Sequence, residues 1–175
     1  MTQSKPKVSW AAIALAVATI GALGSLYLSL GMGLKACPLC FYQRTFMMSV
    51  AAVLALGLLV DRSRGDLLCL VCLPLAVAGL GIAGFHEYLE VTGKLECPKA
   101  ILGLGTAPAQ SLFIFVLLTA AVAMGSLRNT GAIIRAVALG VLMAYASVKS
   151  APPMPPAPTK AYDQPLEICR PPFNR

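Results

Sequence analysis

Cysteine is the residue type whose number and spacing most directly indicate chemistry in this chain. Of its six cysteines, four form two Cys-x-x-Cys pairs, Cys37 with Cys40 and Cys69 with Cys72. This spacing suits either a redox-active disulfide or one half of a tetrahedral zinc site. A helix predicted over 45–60 would separate the two pairs by about 20–25 Å, so they cannot share one zinc ion. The sequence therefore predicts thiol chemistry and no metal site.

The first pair lies where a helix is predicted to begin. Cys37 and Cys40 precede the apolar run 45–60, and Arg44 follows Cys40 by one helical turn. The positive end of the helix dipole and the guanidinium charge both favour a thiolate over a thiol. The pattern therefore favours a redox pair. The alternative is a structural disulfide, with Arg44 serving only to anchor the helix.

Cys97 and Cys169 are isolated in the sequence. Two exposed cysteines in an oxidising compartment tend to pair. The stretch 149–169 can extend about 60 Å at about 3.1 Å per residue, so reach is no obstacle to that pairing. The resulting bridge would be solvent-accessible and open to thiol exchange. Its structural alternative is a clamp that holds the end of the chain to the rest of the fold.

Three other residues have a structural and a chemical interpretation. Cys69 and Cys72 lie at the inner end of a predicted helix, where a small buried apolar role is the favoured one. His86, the only histidine, lies at the outer end of the same helix, beside Glu87. An imidazole there is either an interfacial residue with satisfied hydrogen bonds or a proton donor, acceptor or hydrogen-bond partner for a small molecule.

The composition excludes several classes of protein. Hydrophobic residues make up 58% of the 175 residues and charged residues only 12%, with a net charge of +7. A soluble domain is about 45–50% apolar and about 25% charged, and disordered chains are less apolar still. The lysines and arginines are scattered between apolar runs and form no stripe for nucleic acid. An all-α integral membrane protein of one domain is expected.

A helix that crosses a bilayer requires about 17–25 mostly apolar residues, and five uncharged or nearly uncharged runs are candidates. The runs 45–60 and 111–127 are short, so their helices would lie near the bilayer normal or begin a little before these limits. The last run contains Arg135 near its start, where the side chain can reach the interface. The predicted architecture is a four-helix transmembrane bundle plus a fifth helix, with spans at 8–30, 45–60, 67–85, 111–127 and 132–148.

The end of the chain differs from the rest, because eight of the 13 prolines follow residue 148. We therefore divide the chain into a bundle, 1–148, with redox loops at 31–44 and 86–110, and an extended proline-rich tail, 149–175. The short basic turn at 61–66 favours a cytoplasmic N-terminus, with the longer loops and the tail on the other side.

Together these residues resemble a known family. The segment Cys37-Pro38-Leu39-Cys40-Phe41-Tyr42-Gln43-Arg44 is similar to the Cys-x-x-Cys-x-Tyr-x-Arg signature of the DsbB family. Members of that family are quinone-dependent thiol oxidases of the bacterial inner membrane. The resemblance covers about residues 8–127 and includes the order of the parts: a redox pair after the first helix, His86 at the end of the third, and Cys97 soon after it.

The resemblance implies a role for each of these residues. A reduced periplasmic thioredoxin-fold partner similar to DsbA would attack Cys97 and open a Cys97–Cys169 disulfide. Electrons would pass to Cys37 and Cys40. Cys40, as a thiolate, would contact ubiquinone or menaquinone, with the ring held by Arg44 and His86. DsbA is a strong oxidant at about −120 mV, so its reoxidation requires a stronger acceptor such as the quinone pool.

One feature departs from the family pattern. The second cysteine pair usually lies in one loop, whereas Cys169 follows two further predicted spans, and only a fifth spanning helix returns it to the side of Cys97.

Two other functions remain open. A transmembrane thiol-electron transporter similar to the CcdA type would depend on Cys69 and Cys72, and a structural membrane subunit would use its disulfides only for stability.

Overall fold

The computed structural model describes residues 9–126, 130–160 and 166–173. Within them lie five helices that are long and apolar enough to cross a membrane, which confirms the predicted fold class. The predicted helix limits at residues 8 and 127 fall outside the described residues. The helices are α1 (Trp10–Leu30), α2 (Pro38–Val60), α3 (Gly65–Val91), α4 (Ala107–Gly125) and α5 (Thr130–Ser150).

Two helices are longer than predicted at their outer ends. α2 begins at Pro38 rather than at residue 45, and α3 continues to Val91 rather than ending at residue 85. The connecting loops are therefore 31–37 and 92–106, shorter than the predicted 31–44 and 86–110. The predicted limits came from uncharged runs, but helical hydrogen bonding continues past polar residues whose side chains reach neighbouring helices or the interface. As a result, Arg44 and His86 lie within helices.

α3 is the central helix of the bundle and packs against the other four. α5 packs on α3, where Gly140 permits close contact: an added Cβ would lie 2.7 Å from the Pro74 carbonyl oxygen. Arg135 reaches back toward the start of α5, with Nε donating to the Gly131 carbonyl at 3.1 Å. The fifth helix therefore crosses beside the bundle and returns the chain to the end that carries loops 31–37 and 92–106.

In its described parts, residues 151–160 and 166–173, the tail forms no further helix and folds back over that end of the bundle. The Lys35 backbone N–H donates to the Glu167 carbonyl at 2.8 Å. Glu96 and Arg170 form an antiparallel bridge. Met154 and Ile168 pack against an outer apolar cluster that includes Leu39 and Ile82. Both outer loops and the tail are thereby joined around the cysteines.

Candidate functional site

The start of α2 holds the first cysteine pair in a defined arrangement. Pro38 occupies the first turn, where its missing N–H costs nothing, and Cys37 is the N-cap. The Cys37 Sγ accepts a hydrogen bond from the Cys40 backbone N–H at 3.3 Å, and the two thiol sulfurs lie 2.9 Å apart. Cys37 is fully buried, whereas Cys40 is half-buried. The two sulfurs therefore face different surroundings.

The surroundings of Cys37 stabilise a thiolate. The hydrogen bond from the Cys40 side chain is the largest cause, and together with contact to His86 it outweighs burial and lowers the Cys37 pKa to about 5. The resemblance implies a thiolate at Cys40. The structure instead favours the negative charge on Cys37, because its Sγ accepts from the Cys40 backbone N–H and, once deprotonated, can also accept from the Cys40 thiol.

The second pair is a disulfide between Cys97 and Cys169. It lies against the first pair: the Sγ atoms of Cys37, Cys40 and Cys169 and a ring nitrogen of His86 are all within 4.8 Å of one another. Cys169 is only 2% exposed, so the expectation of a solvent-accessible bridge is wrong for this sulfur. Cys97 remains partly exposed. Of the two, Cys97 is therefore open to attack from outside, and Cys169 is turned toward Cys37.

His86 lies at the centre of the sulfurs and is fully buried. Its Nε2 is 3.8 Å from the Cys37 Sγ and 3.6 Å from the Cys97 Sγ, and its Nδ1 is 4.0 Å from the Cys40 Sγ. The resemblance implies that this ring holds the quinone. His86 is not among the residues that line the neighbouring cavity, and its ring nitrogens lie beside sulfurs of both cysteine pairs.

Two residues that the sequence analysis does not identify complete the site. Gln43 is 5% exposed, and its Nε2 lies 3.2 Å from the His86 Nδ1. The Ser111 hydroxyl of α4 donates to the Gln43 Oε1 at 2.6 Å. In the sequence Gln43 lies just before the predicted span 45–60, and a polar residue at the end of a membrane helix is the signal that points to it. Ser111 has no comparable signal.

A cavity of about 210 Å³ opens beside Cys40, between α1, α2 and α4. Gly21 and Gly24 of α1 leave room for it, and its remaining wall is mostly apolar. Cys40 forms part of the lining, as do the polar residues Gln43 and Arg44. An apolar wall with a few convergent polar groups is typical of a small-molecule site. The donor set fits a quinone, whose flat ring is apolar and whose carbonyl oxygens accept hydrogen bonds.

Arg44 joins α2 to α1 at the rim of this cavity. Its Nε donates to the Ser25 hydroxyl at 2.9 Å, and one terminal nitrogen donates to the Ser25 carbonyl at 2.9 Å and to the Ser29 hydroxyl at 2.5 Å. These contacts fix the guanidinium plane, and the group remains part of the cavity lining. The structure therefore combines both interpretations of Arg44, as a helix anchor and as a positive group beside Cys40.

The second Cys-x-x-Cys pair lies elsewhere. Cys69 and Cys72 are fully buried in the main apolar core. Along α3, Cys72 is about 21 Å from His86 at about 1.5 Å per residue. An added Cβ at Gly125 would collide with the Cys69 sulfur, so α3 and α4 are closely packed here. The surroundings are those of packing residues.

Comparison with known proteins agrees with this geometry. The family model for disulfide bond formation protein DsbB matches residues 6–148. "Disulfide bond formation protein B 1" of Pseudomonas fluorescens Pf-5 is 32% identical over 92 residues, which cover 50% of this chain and 52% of that protein. A "Probable disulfide formation protein" of Deinococcus radiodurans is 40% identical over 88 residues, covering 50% and 55%.

A "Probable disulfide formation protein" of Chlamydia trachomatis is 31% identical over 107 residues, covering 55% of this chain and 76% of that protein. The chain spans about half the length of the first two relatives. No solved structure matches it. Because the family model covers most of the chain and five helices are of membrane-spanning length, this is a multi-pass membrane protein that belongs to the DsbB family of disulfide bond formation proteins.

Proposed function

We propose that this protein is a quinone-dependent thiol oxidase that makes disulfides in a periplasmic thioredoxin-fold partner similar to DsbA. The protein would lie in the bacterial inner membrane with its N-terminus in the cytoplasm. Loops 31–37 and 92–106 and the tail would then face the periplasm. The observation that carries the proposal is the contact of two cysteine pairs around His86, with Cys97 on the outer side and Cys40 on the cavity wall.

The first step takes place at Cys97. A thiolate of the reduced partner attacks the Cys97 sulfur, the Cys97–Cys169 bond breaks, and Cys169 leaves as a thiolate. The second partner thiol then attacks its own mixed disulfide, which releases Cys97 and leaves the partner oxidised. Support for this order comes from exposure, because Cys97 is partly exposed and Cys169 is buried.

The second step transfers the electrons inward. With Cys37 and Cys40 as a disulfide, the Cys169 thiolate attacks the Cys37 sulfur and Cys40 leaves. Cys97 then attacks Cys169, which restores the Cys97–Cys169 disulfide and releases Cys37 as a thiolate. Two electrons have moved from the outer pair to the inner pair. After this step Cys37 and Cys40 would be reduced and Cys97–Cys169 would again be a disulfide.

The last step restores the inner disulfide. A quinone in the cavity would accept the two electrons of the Cys37/Cys40 pair together with two protons, one from the Cys40 thiol and one from solvent. Arg44 would hold it by donating hydrogen bonds, and Cys40 would present its sulfur from the wall. Because the two sulfurs lie 2.9 Å apart, the Cys37 thiolate would take the Cys40 proton as the Cys40 sulfur reacts.

The test is thiol-dependent quinone reduction by the purified full chain in nanodiscs. Reduced DsbA and a short-chain ubiquinone or menaquinone are supplied, and quinone absorbance and DsbA thiols are followed together. We expect one quinone reduced for each DsbA disulfide formed. Absence of quinone reduction would favour a structural subunit. Reduction of oxidised DsbA by the protein and cytoplasmic thioredoxin would favour an electron transporter.

A further inference from the structure

The buried hydrogen bonds behind His86 form a chain across three helices. Ser111 on α4 donates to the Gln43 Oε1 at 2.6 Å, and the Gln43 Nε2 lies 3.2 Å from the His86 Nδ1. Gln43 and His86 are both nearly or fully excluded from solvent. A buried amide without its partners would be costly, and in the structure the amide oxygen faces Ser111 while the amide nitrogen faces His86.

That orientation determines the position of the proton on His86. A neutral imidazole has one N–H and one acceptor nitrogen. Because the Gln43 amide nitrogen can only donate, the Nδ1 that it faces must accept, and the proton lies on Nε2. The Nε2–H then faces the Cys37 and Cys97 sulfurs, at 3.8 Å and 3.6 Å.

We propose that Gln43, held by Ser111, is a positioning residue that keeps the His86 proton on Nε2, where it serves both cysteine pairs. This inference rests on the proposed function, because it assigns Gln43 and Ser111 a part in the inward transfer of electrons. Gln43 contacts His86, and Ser111 contacts Gln43, so each acts on the sulfur atoms through His86.

The position of the proton matters in the closing reaction of the relay. There Cys97 attacks Cys169 and Cys37 leaves, so the attacking and leaving sulfurs both carry negative charge. One Nε2–H lies between these two sulfurs and stabilises the charge on either. With the proton on Nδ1, the nitrogen facing the sulfurs would carry a lone pair, which repels a thiolate.

The chain contains a single histidine, which makes the test direct. In ¹⁵N-labelled full-length protein in nanodiscs, the two imidazole nitrogen shifts report which nitrogen carries the proton. We expect the Nε2–H form in the wild-type protein. Gln43→Glu replaces the donor by an acceptor and should move the proton to Nδ1 or yield the doubly protonated ring. An Nδ1–H form in the neutral wild-type ring would overturn the proposal.

Kinetics provide the second readout. Gln43→Leu and Ser111→Ala should slow transfer from the outer to the inner pair about tenfold, the effect of losing about one hydrogen bond to a charged site. Ser111→Thr retains the hydroxyl and should restore the rate. The matched control is Thr119→Val, which removes another hydroxyl from α4, one that donates to the Ala76 carbonyl at 3.3 Å. This control should change neither the tautomer nor the rate.

The two proposals can fail separately. If wild-type protein does not reduce quinone but the shifts report Nε2–H and respond to Gln43→Glu, the proposed function fails and the positioning of the ring remains. If wild-type protein reduces quinone but Gln43→Leu transfers electrons at the wild-type rate with an unchanged tautomer, the positioning role is refuted and the proposed function remains.

Discussion

Glu96 and Arg170 exchange two backbone hydrogen bonds, of 2.8 Å and 3.1 Å, immediately beside Cys97 and Cys169. This short bridge joins the second outer loop to the tail independently of the disulfide. When the disulfide opens, Cys169 is therefore retained beside Cys97 and Cys37. The tail acts as a docked strand, and the relay does not depend on a long search by a flexible segment.

This docking leads to a trapping prediction. In Cys40→Ser protein the Cys37 sulfur has no inner partner, so it should attack the nearby Cys169 and give a Cys37–Cys169 bond with Cys97 as a free thiol. Non-reducing peptide mapping identifies this species. Wild-type protein should yield the Cys97–Cys169 peptide, and Cys69→Ser should give the same map as wild type. Cys169 found as a free thiol labelled from the cytoplasmic face would disprove the five-helix topology.

Acid should remove the thiolate at Cys37. Its pKa is lowered to about 5, chiefly by the Cys40 hydrogen bond, so the thiolate is present at neutral pH and is protonated as the pH falls through about 5. Transfer through Cys37 should be constant from about pH 8 to pH 6 and should fall about tenfold per pH unit below pH 5. In protein with Cys37 and Cys40 reduced, the ultraviolet absorbance of the thiolate should titrate with the same midpoint. A midpoint near 8.5, the ordinary thiol value, would contradict this assignment.

Arg44→Lys should weaken quinone use although the charge is retained. A lysine ammonium cannot reproduce the planar donors with which Arg44, part of the cavity lining, reaches Ser25 and Ser29. We expect the apparent KM for quinone to rise about tenfold, the effect of losing about 1.4 kcal/mol of binding. The matched control is Arg64→Lys at the opposite end of the bundle, which should leave KM unchanged. Equal KM values for both variants would show that Arg44 anchors α2 to α1 and does not bind the quinone.

Filling the cavity from α1 should have a similar effect without changing any charge. At Gly24 an added Cβ would meet only the Ile101 Cδ1, at an ordinary 3.6 Å, so alanine should be tolerated. A leucine would extend into the cavity and should raise the quinone KM about tenfold or more, with disulfide exchange at Cys97 unchanged. Gly84→Leu, where an added Cβ meets nothing within 4 Å, is the control for an added side chain on a helix.

Cys69→Ala and Cys72→Ala should retain quinone turnover and lower the stability of the bundle by about 1 kcal/mol each, because each removes one buried sulfur. Thermal unfolding in nanodiscs measures the stability and the quinone assay measures the turnover. Cys37→Ser and Cys40→Ser should show the opposite pattern, with turnover abolished and the protein still inserted. Loss of turnover in both alanine variants would favour the alternative function, a transmembrane thiol-electron transporter.

The sequence by itself determined the number of membrane helices, because uncharged runs of bilayer length have one stable solution in lipid. It also predicted Cys37 and Cys40 as a redox pair with Arg44 as its neighbour, because three- and four-residue spacings on one helix are local. The distinction between Cys69–Cys72 as packing residues and Cys37–Cys40 as reactive ones followed from their positions along the predicted helices.

Only the tertiary structure decided how distant segments meet. Cys169 reaches Cys97 because α5 packs on α3 and the tail folds back, and no local pattern encodes that contact. His86 faces the sulfurs rather than the cavity because α3 continues past residue 85 and packs beside α2. The Ser111–Gln43 contact joins α4 to α2 across 68 positions of sequence. Such long-range contacts depend on how helices pack, which is fixed by the shapes of their faces and not by spacing along one of them.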